Sequence, residues 1–172
     1  TITSDVTLER KIATGVGSAP NHGKSWQLLA IPTAGSNPGV NGQTIKQSWG
    51  ENATATNISS PAPGSAGNLH SGYGTMLTSD LANAVALGFD GYTAPGPSIK
   101  IYDYASDGFT GPASTTVPIY NKKGYYVFVR GDRSVNAFNQ PANPAILRTT
   151  GQLFTAAPGH TPPGTTVMAC QF

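Results

Sequence analysis

Tyr125-Tyr126-Val127-Phe128-Val129-Arg130 is the densest run of aromatic and β-branched residues in the chain, and Gly131-Asp132 follows it with turn chemistry. A run of that kind reads as a β-strand, and other strands emerge on either side of it. Upstream, Ser98-Ile99-Lys100-Ile101-Tyr102 alternates apolar and polar residues, and Asp107-Gly108 supplies a hairpin turn into Phe109-Thr110. Trp26-Gln27-Leu28-Leu29-Ala30-Ile31 is nearly continuous apolar sequence halted by Pro32, the pattern of a buried strand. Val6-Thr7-Leu8-Glu9-Arg10-Lys11-Ile12 puts Val6, Leu8 and Ile12 on one face, with Arg10 the exception that must emerge at an edge or find a partner. Downstream, Ala145 to Thr150 and Thr165 to Cys170 complete the set. Trp26, Tyr126 and Phe128 sit inside strong strands and are expected in the core.

Composition agrees with this reading. The 172 residues include 21 Gly and 14 Pro, a fifth of the chain, and only 10% are charged. An ordinary soluble domain carries about 25% charge. Long amphipathic helices need a charged outer face that this chain cannot supply. Disorder combines low hydrophobicity with high net charge, whereas here 38% of residues are hydrophobic and the net charge is +2. Two short helices are expected, one within 41–49, where Ile45 and Trp49 share a face, and one capped by Ser79-Asp80 that runs through Leu81, Ala84 and Val85 to a stop at Gly88. Residues 52–68, with Pro61-Ala62-Pro63-Gly64-Ser65-Ala66-Gly67, read as a Pro/Gly/Ser loop within one domain spanning 1–172. No fixed period recurs. The expected class is all-β, a β-sandwich or jelly-roll-like fold with one or two short helices.

The same composition narrows the function classes. One cysteine, Cys170, excludes internal disulfides and thiolate-rich metal sites. The ten Lys and Arg are scattered, with Arg10-Lys11 and Lys122-Lys123 the only adjacent pairs, so the patch that nucleic acid requires is missing. No apolar run reaches the ~20 residues of a membrane-crossing helix. His22, His70 and His160 stand apart among Gly, Pro and Asn, and read as exposed loop residues. Gly64-Ser65-Ala66-Gly67 has loop composition and not that of a nucleophile elbow. Asp103 and Asp107 flank a turn, where Asp serves backbone geometry, and two carboxylates are too few for a calcium loop. No enzyme, cofactor or metal is expected.

Three surface readings remain. Arg130-Gly131-Asp132 spells an integrin-recognised tripeptide, although Gly-Asp after a strand is also ordinary turn sequence. Tyr73, Tyr92, Tyr104 and Tyr120 neighbour Gly, Asp, Asn or Ala and form an exposable set that could stack on sugar rings. Asn52-Ala53-Thr54 and Asn57-Ile58-Ser59 match the glycan-acceptor sequon, which has meaning only in a compartment with that machinery.

The order of segments carries a family resemblance. Val6 to Ile12, Lys24 to Pro32, Thr44 to Trp49, Gly72-Tyr73-Gly74-Thr75, Gly88-Phe89-Asp90, Pro97 to Tyr102, Gly124 to Ser134 and Leu147 to Leu153 follow one another along nearly the whole chain. Together they resemble the β-rich module of large secreted or surface proteins exported by the type IX secretion system, upstream of their C-terminal sorting domain. The stretch Phe128-Val129-Arg130-Gly131-Asp132-Arg133-Ser134 is its most specific part. The loop at 52–68 departs from that pattern. The resemblance implies a fragment of a longer polypeptide, an extracellular or cell-surface location, and no catalytic residues. It also makes Arg-Gly-Asp part of a strand-turn motif.

The expected function is therefore a non-catalytic structural or adhesive module of a bacterial secreted or cell-surface protein. Its partners would be neighbouring modules, other copies of itself, or glycans and other cell-surface components, with no nucleic acid and no membrane insertion. Edge strands at Val6 to Ile12 or Val167 to Phe172 would provide the route to assembly. The alternatives are a carbohydrate-binding module using exposed Tyr, and a hydrolase with a loop-built site.

Overall fold

The computed structural model describes residues 4–14, 24–34, 44–51, 53, 72–91, 96–117, 124–133 and 143–153. These residues form an all-β structure of two antiparallel sheets and one short helix. The first sheet has the order β1 (Val6–Ile12), β7 (Ala145–Leu153), β3 (Thr33–Ala34). The second runs β2 (Ser25–Leu29), β6 (Tyr125–Val129), β4 (Ile99–Asp103), β5 (Gly108–Thr110). Helix α1 covers Ile45–Trp49.

Alternation sets the register. In β6, Tyr125, Val127 and Val129 point inward and are buried, while Tyr126 and Phe128 point outward. β2 lies against it with Trp26 opposite Phe128 and Leu28 opposite Tyr126, and β4 sets Lys100 opposite Tyr126. The β4–β5 hairpin closes where Asp103 faces Gly108, with Asp107 at φ 48°, a left-handed position that Asp tolerates. In the other sheet, β1 pairs with β7 from Val6 opposite Gly151 to Ile12 opposite Ala145. Arg10, the exception to the alternation, is exposed on β1, which is the end strand of that sheet among the described residues.

One hydrophobic cluster draws on both sheets. Ile12, Ala145 and Leu147 come from the first, and Leu29, Ile99, Tyr125, Val127 and Val129 from the second. Ile45 and Trp49, four apart on α1, add the helix to it. The Trp49 ring meets Tyr125 edge-on with centroids 5.6 Å apart. A capping box starts α1: the Thr44 hydroxyl accepts from the Gln47 N–H at 3.0 Å, and the Gln47 side chain accepts from the Thr44 N–H at 3.1 Å.

Two expectations need correction. Residues 79–88 do not form a regular helix. Their hydrogen bonds run mostly to the third residue back, as in Ala84 to Leu81 and Gly88 to Val85, and the Ser79 hydroxyl accepts from the Leu81 N–H at 3.2 Å instead of capping a helix. Gly88 does end the segment, at φ 87°. Secondly, Trp26 to Ile31 is not buried on both faces. Trp26 is 42% exposed and Leu28 50%, Tyr126 is exposed, and Phe128 is half-buried. A run of apolar residues does not say which face has a layer over it. The loop at 52–68, apart from Ala53, and the strand expected at 165–170 lie outside the described residues.

Candidate functional site

Two unusual regions flank the core, one polar and internal, the other apolar and external. The internal one gathers Gly72 to Leu77, Asp90, Asp132 and Arg133. Arg133 is fully buried and forms a bidentate pair with Asp90: Nη1 donates to Oδ2 at 2.9 Å and Nη2 to Oδ1 at 2.7 Å. Its Nη1 also donates to the Thr75 carbonyl at 3.0 Å. Asp90 Oδ2 accepts from the Leu77 N–H at 2.7 Å, and the Asp90 N–H donates to the Leu77 carbonyl at 2.7 Å. A buried charge is tolerated when its hydrogen bonds are met in this way. The ion pair therefore clamps residues 75–77, Asp90 and the end of β6 together.

Asp132 belongs to the same construction, which corrects the expectation that Arg130-Gly131-Asp132 is a displayed contact motif. Asp132 is 2% exposed. Its Oδ2 accepts from the Gly72 N–H at 2.6 Å and from the Asn143 side chain at 3.3 Å, and its own N–H donates to the Asn143 carbonyl at 3.0 Å. Gly131 is buried at φ 112°, and the Arg130 guanidinium lies 4.7 Å from the centre of the Phe128 ring. The carboxylate that a receptor would have to reach is committed inside the fold.

The neighbouring strip 72–75 threads between these groups. Gly74 donates to the Ile146 carbonyl and Thr75 to the Trp49 carbonyl, at 2.9 and 2.8 Å. Tyr73 is half-buried beneath Arg148, whose guanidinium stands 4.2 Å from its ring centre. Arg148 also forms a bidentate pair with Glu51, with Nε to Oε1 at 2.9 Å and Nη2 to Oε2 at 2.8 Å. The hydrogen bond to Glu51 raises the pKa of the Arg148 guanidinium further above its ordinary value. Tyr73 is thus part of this packed strip and not a free contact residue.

The external region is the outer face of the four-stranded sheet. Trp26 and Leu28 from β2, Phe128 and Tyr126 from β6, Lys100 and Tyr102 from β4 and Phe109 from β5 share that face through the strand registers. Their rings touch in two groups, Trp26 with Phe128 and Tyr126 with Phe109, Tyr102 and Tyr104. Trp26 and Phe128 have centroids 5.2 Å apart, Phe109 and Tyr126 5.2 Å, Tyr102 and Phe109 5.4 Å, and Tyr102 and Tyr104 4.9 Å. Lys100 spans the ribbon, its Nζ 5.0 Å from the centre of the Trp26 ring. Tyr104, expected to be exposed, is 90% exposed at the hairpin tip. Tyr92 and Tyr120 lie outside the described residues.

Ring orientation decides what this face can hold. Interplanar angles are 45° for Trp26 with Phe128, and 68°, 84° and 87° for the pairs Tyr102–Phe109, Phe109–Tyr126 and Tyr102–Tyr104. Edge-to-face packing satisfies the rings among themselves. It presents alternating edges and faces, a corrugated apolar surface and not a coplanar platform for a flat sugar chain. The sequence signal for this face was present in the even-numbered aromatic residues of β6, but alternation alone does not identify the uncovered side.

Acid–base candidates are placed as turn residues. Asp103 accepts from the Ala105 N–H at 3.1 Å and the Ser106 hydroxyl at 2.7 Å. Asp107 accepts a short hydrogen bond from the Tyr102 hydroxyl, which raises the pKa of that phenol above its ordinary value of 10.0. Among the described residues, no group of three or more His, Cys, Asp or Glu side chains gathers at metal-binding distance. His22, His70, His160, Cys170 and both sequon asparagines lie outside the described residues. A shallow depression of about 270 Å³ follows residues 79–91 and includes Asp90, whose carboxylate already faces Arg133. Among the described residues, no helix is long and apolar enough to cross a membrane.

Comparisons of the chain with protein-family models, curated proteins and solved structures return no match.

Proposed function

We propose that the chain is a non-catalytic structural or adhesive module of a bacterial secreted or cell-surface protein, a sandwich-like pair of sheets that meets its neighbours through the outer face of the four-stranded sheet. The aromatic ribbon from Trp26 to Tyr104 is the observation that carries this reading. Leaving so many large apolar groups in water is costly, and contiguous apolar patches of this kind mark interaction sites. Tyr, Trp and Phe are also the residues enriched in protein contact surfaces. The corrugated edge-to-face packing fits protein side chains, which can interdigitate with it. The extracellular location rests on the resemblance to type IX exported modules, whose motif residues here build the internal clamp.

A carbohydrate-binding role is the second reading, favoured by Tyr104 at the exposed hairpin tip and by Lys100 beside Trp26. The mutual tilt of the rings weighs against it. Binding of the purified chain to cells that carry the native polypeptide, and to a glycan array with and without calcium, separates the two. The first reading expects retention on cells that falls at least tenfold in a Trp26→Ala/Phe109→Ala variant, with no glycan hit. A glycan ligand lost in the same variant would transfer the function to the second reading, and binding to neither would sink both.

A further inference from the structure

Among the described residues the second sheet ends on β2, and this strand differs from the other end strands. Its five residues, Ser25-Trp26-Gln27-Leu28-Leu29, carry no charge, and Trp26 and Leu28 project from it into solvent. β1, the end strand of the other sheet, carries Glu9-Arg10-Lys11, all exposed, which is how proteins protect an open edge from pairing. β5 has only three residues.

We propose that β2 pairs antiparallel with β2 of a second copy of this chain, about a two-fold axis at Gln27, joining two four-stranded sheets into one. This deepens the proposed assembly role and rests on that reading. The register is self-complementary. Gln27 opposes Gln27, all five residues of each strand are paired, and Trp26 of one copy lies beside Leu28 of the other on the outer face. Directly opposed residues have Cβ atoms about 4.5–5.5 Å apart, so both apolar side chains lose water to each other twice over. Lys24 falls opposite Ala30 of the second copy, and no like charges meet. The same operation on β1 would centre on Glu9 and set two Glu9 carboxylates side by side. Val6 to Ile12 is an end strand among the described residues, but its charges oppose pairing with its own copy.

A five-residue joint buries less than the about 800 Å² per partner of a stable interface, so the dimer is weak in free solution and gains force where copies are tethered close together. The joint also makes the two aromatic ribbons continuous, doubling the outer contact surface.

Sedimentation velocity from about 10 μM to about 1 mM is the test, because the chain should show a reversible monomer–dimer equilibrium across that range. Leu28→Lys should weaken it about tenfold by placing a charge beside Trp26 of the second copy, while Lys11→Ala on β1 should leave it unchanged. In a Cys170→Ser background, Gln27→Cys should give an oxidised dimer and Glu9→Cys should not. Circular dichroism checks the fold of each variant, and if Leu28→Lys fails to fold the cross-link alone decides. Dimerisation that survives Leu28→Lys, or an absent Gln27→Cys cross-link in folded protein, overturns the β2 joint while leaving the assembly reading intact. A monomer at every concentration overturns the joint, and if it also fails to bind the parent cells the broader reading falls with it.

Discussion

The Arg133–Asp90 clamp and the Trp26–Tyr104 ribbon invert the usual polarity of a protein in opposite directions. One encloses charges where apolar residues would be expected, and the other leaves apolar rings in water. The clamp's two terminal guanidinium nitrogens and both carboxylate oxygens are engaged, with two ion-pair contacts and further bonds to the Thr75 carbonyl and the Leu77 N–H. The ribbon's rings are only half satisfied, touching each other along the sheet while their outer edges remain open. The clamp belongs to stability and, on the proposed reading, the ribbon to contact, and mutations should separate the two.

The largest effect should come from breaking the clamp on one side. Asp90→Ala takes the bidentate carboxylate from a fully buried Arg133, and should cost about 3–5 kcal/mol in chemical denaturation. Replacing both partners, as in Asp90→Leu with Arg133→Met, should recover much of that loss, which a non-clamping pair would not show. Gly74→Ala should follow. Gly74 sits at φ 66°, and an added methyl would lie 2.9 Å from Glu51 Cγ and 3.0 Å from the Trp49 carbonyl oxygen, giving a loss of about 1–3 kcal/mol. Arg148→Ala should cost about 1–3 kcal/mol, because Arg148 is itself 32% exposed but the Glu51 side chain that loses its bidentate partner is only 7% exposed. None of these changes touches the ribbon.

Alkaline pH tests the inner face of β6. Burial raises the Tyr125 pKa above its ordinary 10.0. The unfolded chain therefore loses this proton first as pH rises, so the stabilising contribution is complete below pH 10 and is lost as pH climbs through the raised folded value. Denaturation midpoints should fall above pH 10, and Tyr125→Phe on the inner face should lessen that fall.

Much of this was legible in the sequence. The bounds of β1, the core of β6, the Asp107-Gly108 turn and the shared face of Ile45 and Trp49 all follow from alternation, turn chemistry and helical spacing. The segment at 79–88 misled because Leu81, Ala84 and Val85 have helical spacing, yet Leu81 and Val85 are exposed and no packing rewards a full helix. The two-residue β3 is too short to leave a pattern. Arg133 and Asp90 were hidden because a charge reads as surface until its partner, 43 residues away, is placed beside it. The side of β2 and β6 left uncovered is likewise a property of the whole fold and not of either strand.

The Trp26→Ala/Phe109→Ala variant tests the central claim most directly when thermal stability and attachment to parent cells are measured on the same sample. The account predicts a melting temperature within a few degrees of the unaltered chain and attachment reduced at least tenfold. A melting temperature lowered as far as in Asp90→Ala, with attachment unchanged, would show the ribbon to be structural and would contradict it.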